Sequence, residues 1–194
     1  MQIKVFSGKL SELRSEALVV SCFEDVRPLG GLAAEIDWLY GGIISRLIMQ
    51  DKMTGGLGET LLLAPQDKLQ VSKVVLIGLG AYAAYSYPQI KSIAKQLVVV
   101  MDGLNVRDRA VELLVPDSQE IDLTLSVESF LSGWQSGVVG KKKQGSFDLT
   151  FVVEEGEGAK RLQQKILNDG NLWKGNYFFG SGADTGSASY SFSQ

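Results

Sequence analysis

The sequence predicts an α/β layered domain, with helices on both faces of a sheet of about six strands, mostly parallel or mixed. Two observations carry that prediction. Short apolar runs of strand character alternate along the 194 residues with longer segments whose apolar residues recur every three or four positions. The composition, 45% hydrophobic and 21% charged with 22 glycines and 4 prolines, is that of a chain with enough apolar surface to form a core without disulfides or structural metal.

The first strand is read at Ile3 to Phe6 and the second at Ala17 to Phe23, an apolar run long enough to be covered on both faces. After a turn with Pro28 and Gly30-Gly31, Leu32, Ile36, Leu39, Ile43, Ile44, Leu47 and Ile48 fall at helical spacing, and Gly41-Gly42 marks a break or a close helix contact. Gly58 to Ala64 and Lys73 to Leu79 read as buried strands on either side of a charged turn. A second helix runs from Tyr87-Pro88 to about Leu104, with Pro88 tolerated in its first turn. Val111 to Val115 is the fifth strand, Leu123 to Val138 the third helix and Phe147 to Val153 the sixth strand. A short amphipathic helix from Gly158 to Leu167 ends before Asp169-Gly170. Residues 1–179 form one domain in this reading, and 180–194, rich in Gly and Ser, form a flexible tail.

Composition also narrows the chemistry. There is no histidine, which excludes a Ser-His-Asp triad, a Cys-His dyad and an HExxH zinc site, and a single cysteine, Cys22, which excludes an internal disulfide. Neither a metal nor a cofactor is predicted. The net charge of -3 offers no global attraction to nucleic acid or to an anionic membrane. The first ten residues lack the apolar stretch of a signal peptide, and no run approaches the roughly 18 apolar residues of a membrane span, so a cytoplasmic protein is predicted.

Four blocks carry a family resemblance: SGKLSELRSEALVVSCFED at Ser7 to Asp25, LGGLAAEIDWLYGGIISRLI at Leu29 to Ile48, GLGETLLL at Gly56 to Leu63 and KVVLIGLG at Lys73 to Gly80. In this order they resemble the N-terminal domain of the leucyl aminopeptidases, peptidase family M17, and weaker similarity continues to about residue 155. The resemblance implies a macro-domain-like three-layer sandwich. It also implies that the family's metals and catalytic Lys and Arg belong to a separate C-terminal domain. The family's Asn-Thr-Asp-Ala-Glu-Gly-Arg loop does not occur here, Lys141 to Lys143 do not reproduce its lysine-bearing strand, and NDGNLWKGNYFFGSGAD at Asn168 to Asp184 does not match its linker. A stand-alone, non-catalytic relative is the expectation.

Against the ADP-ribose-binding macro domains, Lys9 stands where the resemblance would place an adenine-holding aspartate, and Ser21-Cys22-Phe23-Glu24 lacks the asparagines. The glycine turn remains. Gly30, Gly31 and Leu32 could offer backbone N–H groups and a helix N-terminus to a phosphate, although a plain strand-to-helix turn explains the same glycines. Gly78-Leu79-Gly80 lacks the third glycine of a dinucleotide loop and reads better as a strand end. Asp184-Thr185-Gly186-Ser187 has the letters of an aspartic-protease motif without an apolar strand before it. The lysines near Trp134 read as a solvated turn, so nucleic acid is not an expected partner, and Cys22 reads as a buried, inert thiol. Trp38, Trp173, Tyr177, Phe178 and Phe179 fit a core or the aromatic centre of an interface, the last four lying close together.

Two functions follow from these residues. The first is an interaction, assembly or regulatory module that binds a protein partner or itself, with Trp173, Tyr177, Phe178 and Phe179 at the interface. The alternative is a binder or hydrolase of a nucleotide or ADP-ribose-type ligand at Gly30, Gly31 and Leu32.

Overall fold

A computed structural model describes residues 2–64, 66–113, 121–138, 148–154, 156–168 and 178–181. Its strands are β1 (Gln2–Phe6), β2 (Arg14–Cys22), β3 (Thr60–Leu63), β4 (Gln70–Gly78), β5 (Asp108–Glu112), β6 (Asp148–Val152) and β7 (Phe178–Ser181). Its helices are α1 (Gly31–Leu39), α2 (Ile43–Met49), α3 (Tyr87–Gly103), α4 (Leu123–Val138) and α5 (Glu157–Asn168). The sheet order is β3-β4-β2-β5-β6-β1-β7, with β3 antiparallel to β4 and every other neighbouring pair parallel.

Alternation along the strands fills two cores. Val19, Val111, Leu149 and Phe151 meet residues of α3, α4 and α5 on one face, among them Leu97, Phe130, Trp134 and Leu162. Leu18, Val20, Leu76 and Ala110 face the other way, toward Ala33, Ile36 and Tyr40 of the α1 segment and Ile44 of α2. The result is the mixed, three-layer sandwich anticipated above.

Several details differ from the sequence reading. The sheet has seven strands because β7 adds to β1 at its edge, and Gly180 and Ser181, placed in the tail by composition, belong to it by pairing with Lys4 and Val5. The rest of the tail, 182–194, lies outside the described residues. The helical run from Leu32 to Ile48 is two helices, so that of the break or close contact expected at Gly41-Gly42 it is the break that is found, with φ of 66° and 78° there. The fifth strand begins at Asp108, before its apolar residues. Arg109 is acceptable inside it because its guanidinium lies 5.3 Å from the centre of the Trp134 ring and 3.6 Å from Asp102.

The tightest helix contact is between α3 and α4. A Cβ on Gly133 would sit 2.0 Å from the Lys91 carbonyl oxygen, a backbone atom that cannot swing aside. Gly133→Ala is therefore expected to destabilise by roughly 1–3 kcal/mol, as overpacked sites do. Gly103→Ala, whose methyl meets nothing within 4 Å, should change the thermal midpoint little. Thermal denaturation of the two variants checks the difference.

Candidate functional site

In open α/β sheets, ligands sit beyond the carboxyl ends of the strands, where successive connections leave on opposite faces. Here that point lies between β2 and β5. The chain leaves β2 for α1 on one face and leaves β5 for α4 on the other. The β2–β5 pairing runs only from Ala17–Arg109 to Val19–Val111, whereas β2 stays with β4 to Cys22 and β5 stays with β6 to Glu112. The two strands therefore part over their last residues and open a crevice.

A carboxylate fills it. Glu112, the last residue of β5, accepts hydrogen bonds from the Ser21 N–H and the Ser21 Oγ–H, both 2.8 Å from Oε2. Its Oε1 accepts from the Leu32 N–H at 2.6 Å, in the first turn of α1. One side chain thus replaces the missing ladder bond to Ser21 and caps a helix whose N-cap residue, Gly30, has no side chain to do so. The Glu112 residue keeps some accessible surface, while its carboxyl group is enclosed. Burial raises its pKa, the Leu32 and Ser21 donors oppose that rise, and the charge of Glu154 adds to it. Cys22 and Tyr85 feel the same negative charge. A cavity of ≈ 20 Å³ adjoins the carboxylate, lined by Ser21, Tyr85 and Glu112 among apolar residues such as Val19, Ile90 and Phe130.

The loop at 54–59 roofs the carboxyl end of β4. Gly58 N–H donates to the Gly78 carbonyl and Gly80 N–H to the Gly55 carbonyl, each at 2.9 Å. A Cβ on Gly78 would lie 2.0 Å from the Gly56 carbonyl oxygen, so this glycine is needed for the close crossing. Glu59 fixes the loop by accepting from Thr54 N–H, Thr54 Oγ1–H and Gly55 N–H at 2.8, 2.7 and 3.0 Å. Slight desolvation raises its pKa, but those donors outweigh it and leave the carboxyl below its ordinary value. Arg27 donates to the carbonyls of Phe23 and Thr54, tying this roof to the end of β2.

The sequence-predicted residues fall as follows. Gly30 precedes α1, Gly31 takes φ of 57° in its first turn, and Leu32 presents its N–H to Glu112. Cys22 is buried, and burial pushes its thiol up to about 11 despite Arg27. Trp173, Tyr177 and Lys141 to Lys143 lie outside the described residues, as does Asp184-Thr185-Gly186-Ser187. Phe178 and Phe179 pair with Gln2 and Ile3 in β7. Glu112 was not singled out by sequence reasoning; its only signal is a carboxylate inside the apolar run Val111 to Val115.

A second concave surface lies outside the sheet. Pro28, Leu29, Asp37, Trp38, Gly42 and Ser45 are among the residues lining an open groove of ≈ 560 Å³ against α1 and α2. Asp37 is engaged with α2, accepting from Ile44 N–H at 2.7 Å and Ser45 N–H at 3.1 Å. Trp38 is 86% exposed and Met49 82%. Among the described residues, no helix is long and apolar enough to cross a membrane, and no three potential metal ligands converge.

A mixed sheet between two helical layers, with a crevice at its carboxyl end, is a macrodomain-like fold. A Trypanosoma brucei macrodomain in complex with ADP aligns with a TM-score of 0.66 and 13% identity, over 85% of this chain and 69% of its own. A leucine aminopeptidase mutant from tomato aligns with a TM-score of 0.63 and 16% identity, over 84% of this chain and 35% of its own. The family model described as "Cytosol aminopeptidase family, N-terminal domain" matches residues 19–138, and the chain belongs to that family. A probable cytosol aminopeptidase of Haemophilus ducreyi is 25% identical over 179 residues, 84% of this chain and 36% of that protein. One from a Geobacter species is 36% identical over 94 residues, 48% of this chain and 19% of that protein. The chain spans about a third or less of the curated relatives it matches.

The buried carboxylate gives a pH signature. Because its folded pKa is raised above the unfolded value near 4.5, its contribution to stability is greatest below that value and falls as pH rises through the folded pKa. The thermal midpoint of the unmodified chain minus that of Glu112→Gln is expected to be largest near pH 4 and to shrink toward neutrality. A difference that grows with pH would contradict the raised pKa.

Proposed function

We propose that this domain is a non-catalytic interaction and assembly module working in the cytoplasm, where its relatives' description as cytosol aminopeptidases would place it. The observation that carries the reading is the outer face of the α1–α2 layer. Trp38 and Met49 lie almost fully in solvent, while Leu39, Ile43, Leu47 and Ile48 are only partly buried. An exposed tryptophan beside an apolar groove has the chemistry of an interface anchor, since a few large side chains supply most association energy. The crevice supports the same reading from the other side. An incoming phosphate at Gly30, Gly31 and Leu32 would meet the Glu112 carboxylate, which repels it and already holds the Leu32 N–H.

The partner is a protein, either a second copy or a larger assembly into which this N-terminal domain fits. Sedimentation velocity of the full chain should reveal self-association or, with partner present, a complex. Trp38→Asp should weaken that association at least about tenfold, the scale of a 1.4 kcal/mol hot-spot loss, with the circular dichroism spectrum unchanged. A chain that is monomeric at every concentration and captures no partner would reject the module.

The nucleotide-binding alternative draws on the fold shared with the trypanosomal macrodomain. ADP-ribose at 100 times its dissociation constant would stabilise a binder by about 2.7 kcal/mol. No shift in thermal midpoint is expected here at millimolar ligand, and a saturable shift would transfer the function to the crevice.

A further inference from the structure

Helices α1 and α2 carry matched outer stripes. Beyond its first residue, α1 exposes Glu35 and Trp38, and α2 exposes Arg46 and Met49. Each pair is spaced i, i+3, so charge and apolar side chain are neighbours on one helical face. Ala33, Ile36 and Ile44 bury the inner sides of both helices against the same face of the sheet, and both stripes therefore look outward. The layer presents an acid beside a tryptophan on one helix and a base beside a methionine on the next. Among the described residues, neither the Glu35 nor the Arg46 side chain makes an ion pair or a hydrogen bond.

We propose that the occupant of this face is a second copy of the chain, related by a two-fold axis that lays α1 of each copy over α2 of the other. This dimer rests on the assembly reading above and names its partner. The exchange brings Glu35 of one copy to Arg46 of the other twice over, and likewise Trp38 to Met49. Sulfur beside an aromatic ring is a favourable contact, and both side chains leave water to make it. Charge complementarity favours a copy over an unlike protein. The fully exposed charges of α1 and α2 are one acid and one base, so the face draws neither an acidic nor a basic partner, yet it complements itself. Asp37, the other charged residue of these helices, is already engaged at the start of α2 by Ile44 N–H and Ser45 N–H, where the helix dipole offsets its charge. The groove of ≈ 560 Å³ lined by Pro28, Leu29 and Trp38 has room for apolar side chains of the copy.

The test is sedimentation velocity, over a concentration series, of the full chain and of two charge reversals, Glu35→Arg and Arg46→Glu. Both residues are exposed, so the variants should keep the circular dichroism spectrum and thermal midpoint of the unmodified chain. Each variant alone should dimerise at least about fivefold more weakly, because both facing charge pairs become repulsive. Mixed one to one, the two variants should pair with each other at least about fivefold more tightly than either pairs with itself, since every facing pair is again opposite in sign. A dimer of the unmodified chain that ignores both reversals and shows no preference in the mixture overturns the proposal.

Failure of the two-fold dimer and failure of the assembly module read differently. An unmodified chain that stays monomeric yet binds another protein through Trp38 keeps the module and overturns the second copy. Self-association that Trp38→Asp abolishes, but that the charge reversals and their mixture leave unchanged, keeps the face and overturns the pairing of α1 with α2. A monomer without a partner overturns both.

Discussion

The contact between the Glu112 carboxylate and the N–H groups of Ser21 and Leu32 joins three elements where the sheet cannot join them itself. Connections that diverge to opposite faces force neighbouring parallel strands apart at their carboxyl ends. In this chain the consequence is a Ser21 N–H with no ladder partner in β5 and a helix start with no side-chain cap. Each needs an acceptor, and the helix dipole favours a negative one. A single carboxylate answers both needs. Its desolvation cost is the reason its pKa is raised, and its three donors offset part of that cost.

The surrounding structure is built to allow this close approach. Gly78 lets the 54–59 loop cross the end of β4, Glu59 holds that loop through Thr54 and Gly55, and Arg27 fastens it to Phe23. Phe23 in turn stands edge-on to Tyr82 and Tyr85, with ring centres 5.0 and 5.2 Å apart. The crevice is thus closed from above by backbone and aromatic contacts and from within by a charge.

The layers and most elements were legible in the sequence because both periodicities were strong. Val74 to Ile77 could only be a strand buried on both faces, and Ile90, Ile93, Leu97 and Met101 could only be one side of a helix. The strand boundaries were less legible where polar residues continue an apolar run, as Asp108 and Arg109 do at the start of β5. Arg109 lies outside the run Val111 to Val115, and its place in the strand depends on the ring of Trp134, 25 residues later. The site was the least legible part. The turn at Gly30-Gly31 was visible, but its acceptor lies 80 residues beyond Leu32, and no local pattern relates the two. A glutamate at the end of a strand is usually a solvated residue at a loop, and only the parting of β2 from β5 turns it inward.

The two helical layers differ in a way that bears on function. On one face α3, α4 and α5 bury a continuous core, with α3 and α4 so close that Gly133 touches the backbone at Lys91. On the other, α1 and α2 are short and apolar on more than their inner side. Leaving Trp38 and Met49 in water gives up the burial that would otherwise stabilise them. An amphipathic surface helix would place charge at those positions, as α5 does with Lys160 and Arg161. The same helix α1 therefore has its N-terminus closed by Glu112 and its outer face open, and the assembly module proposed above rests on that open face.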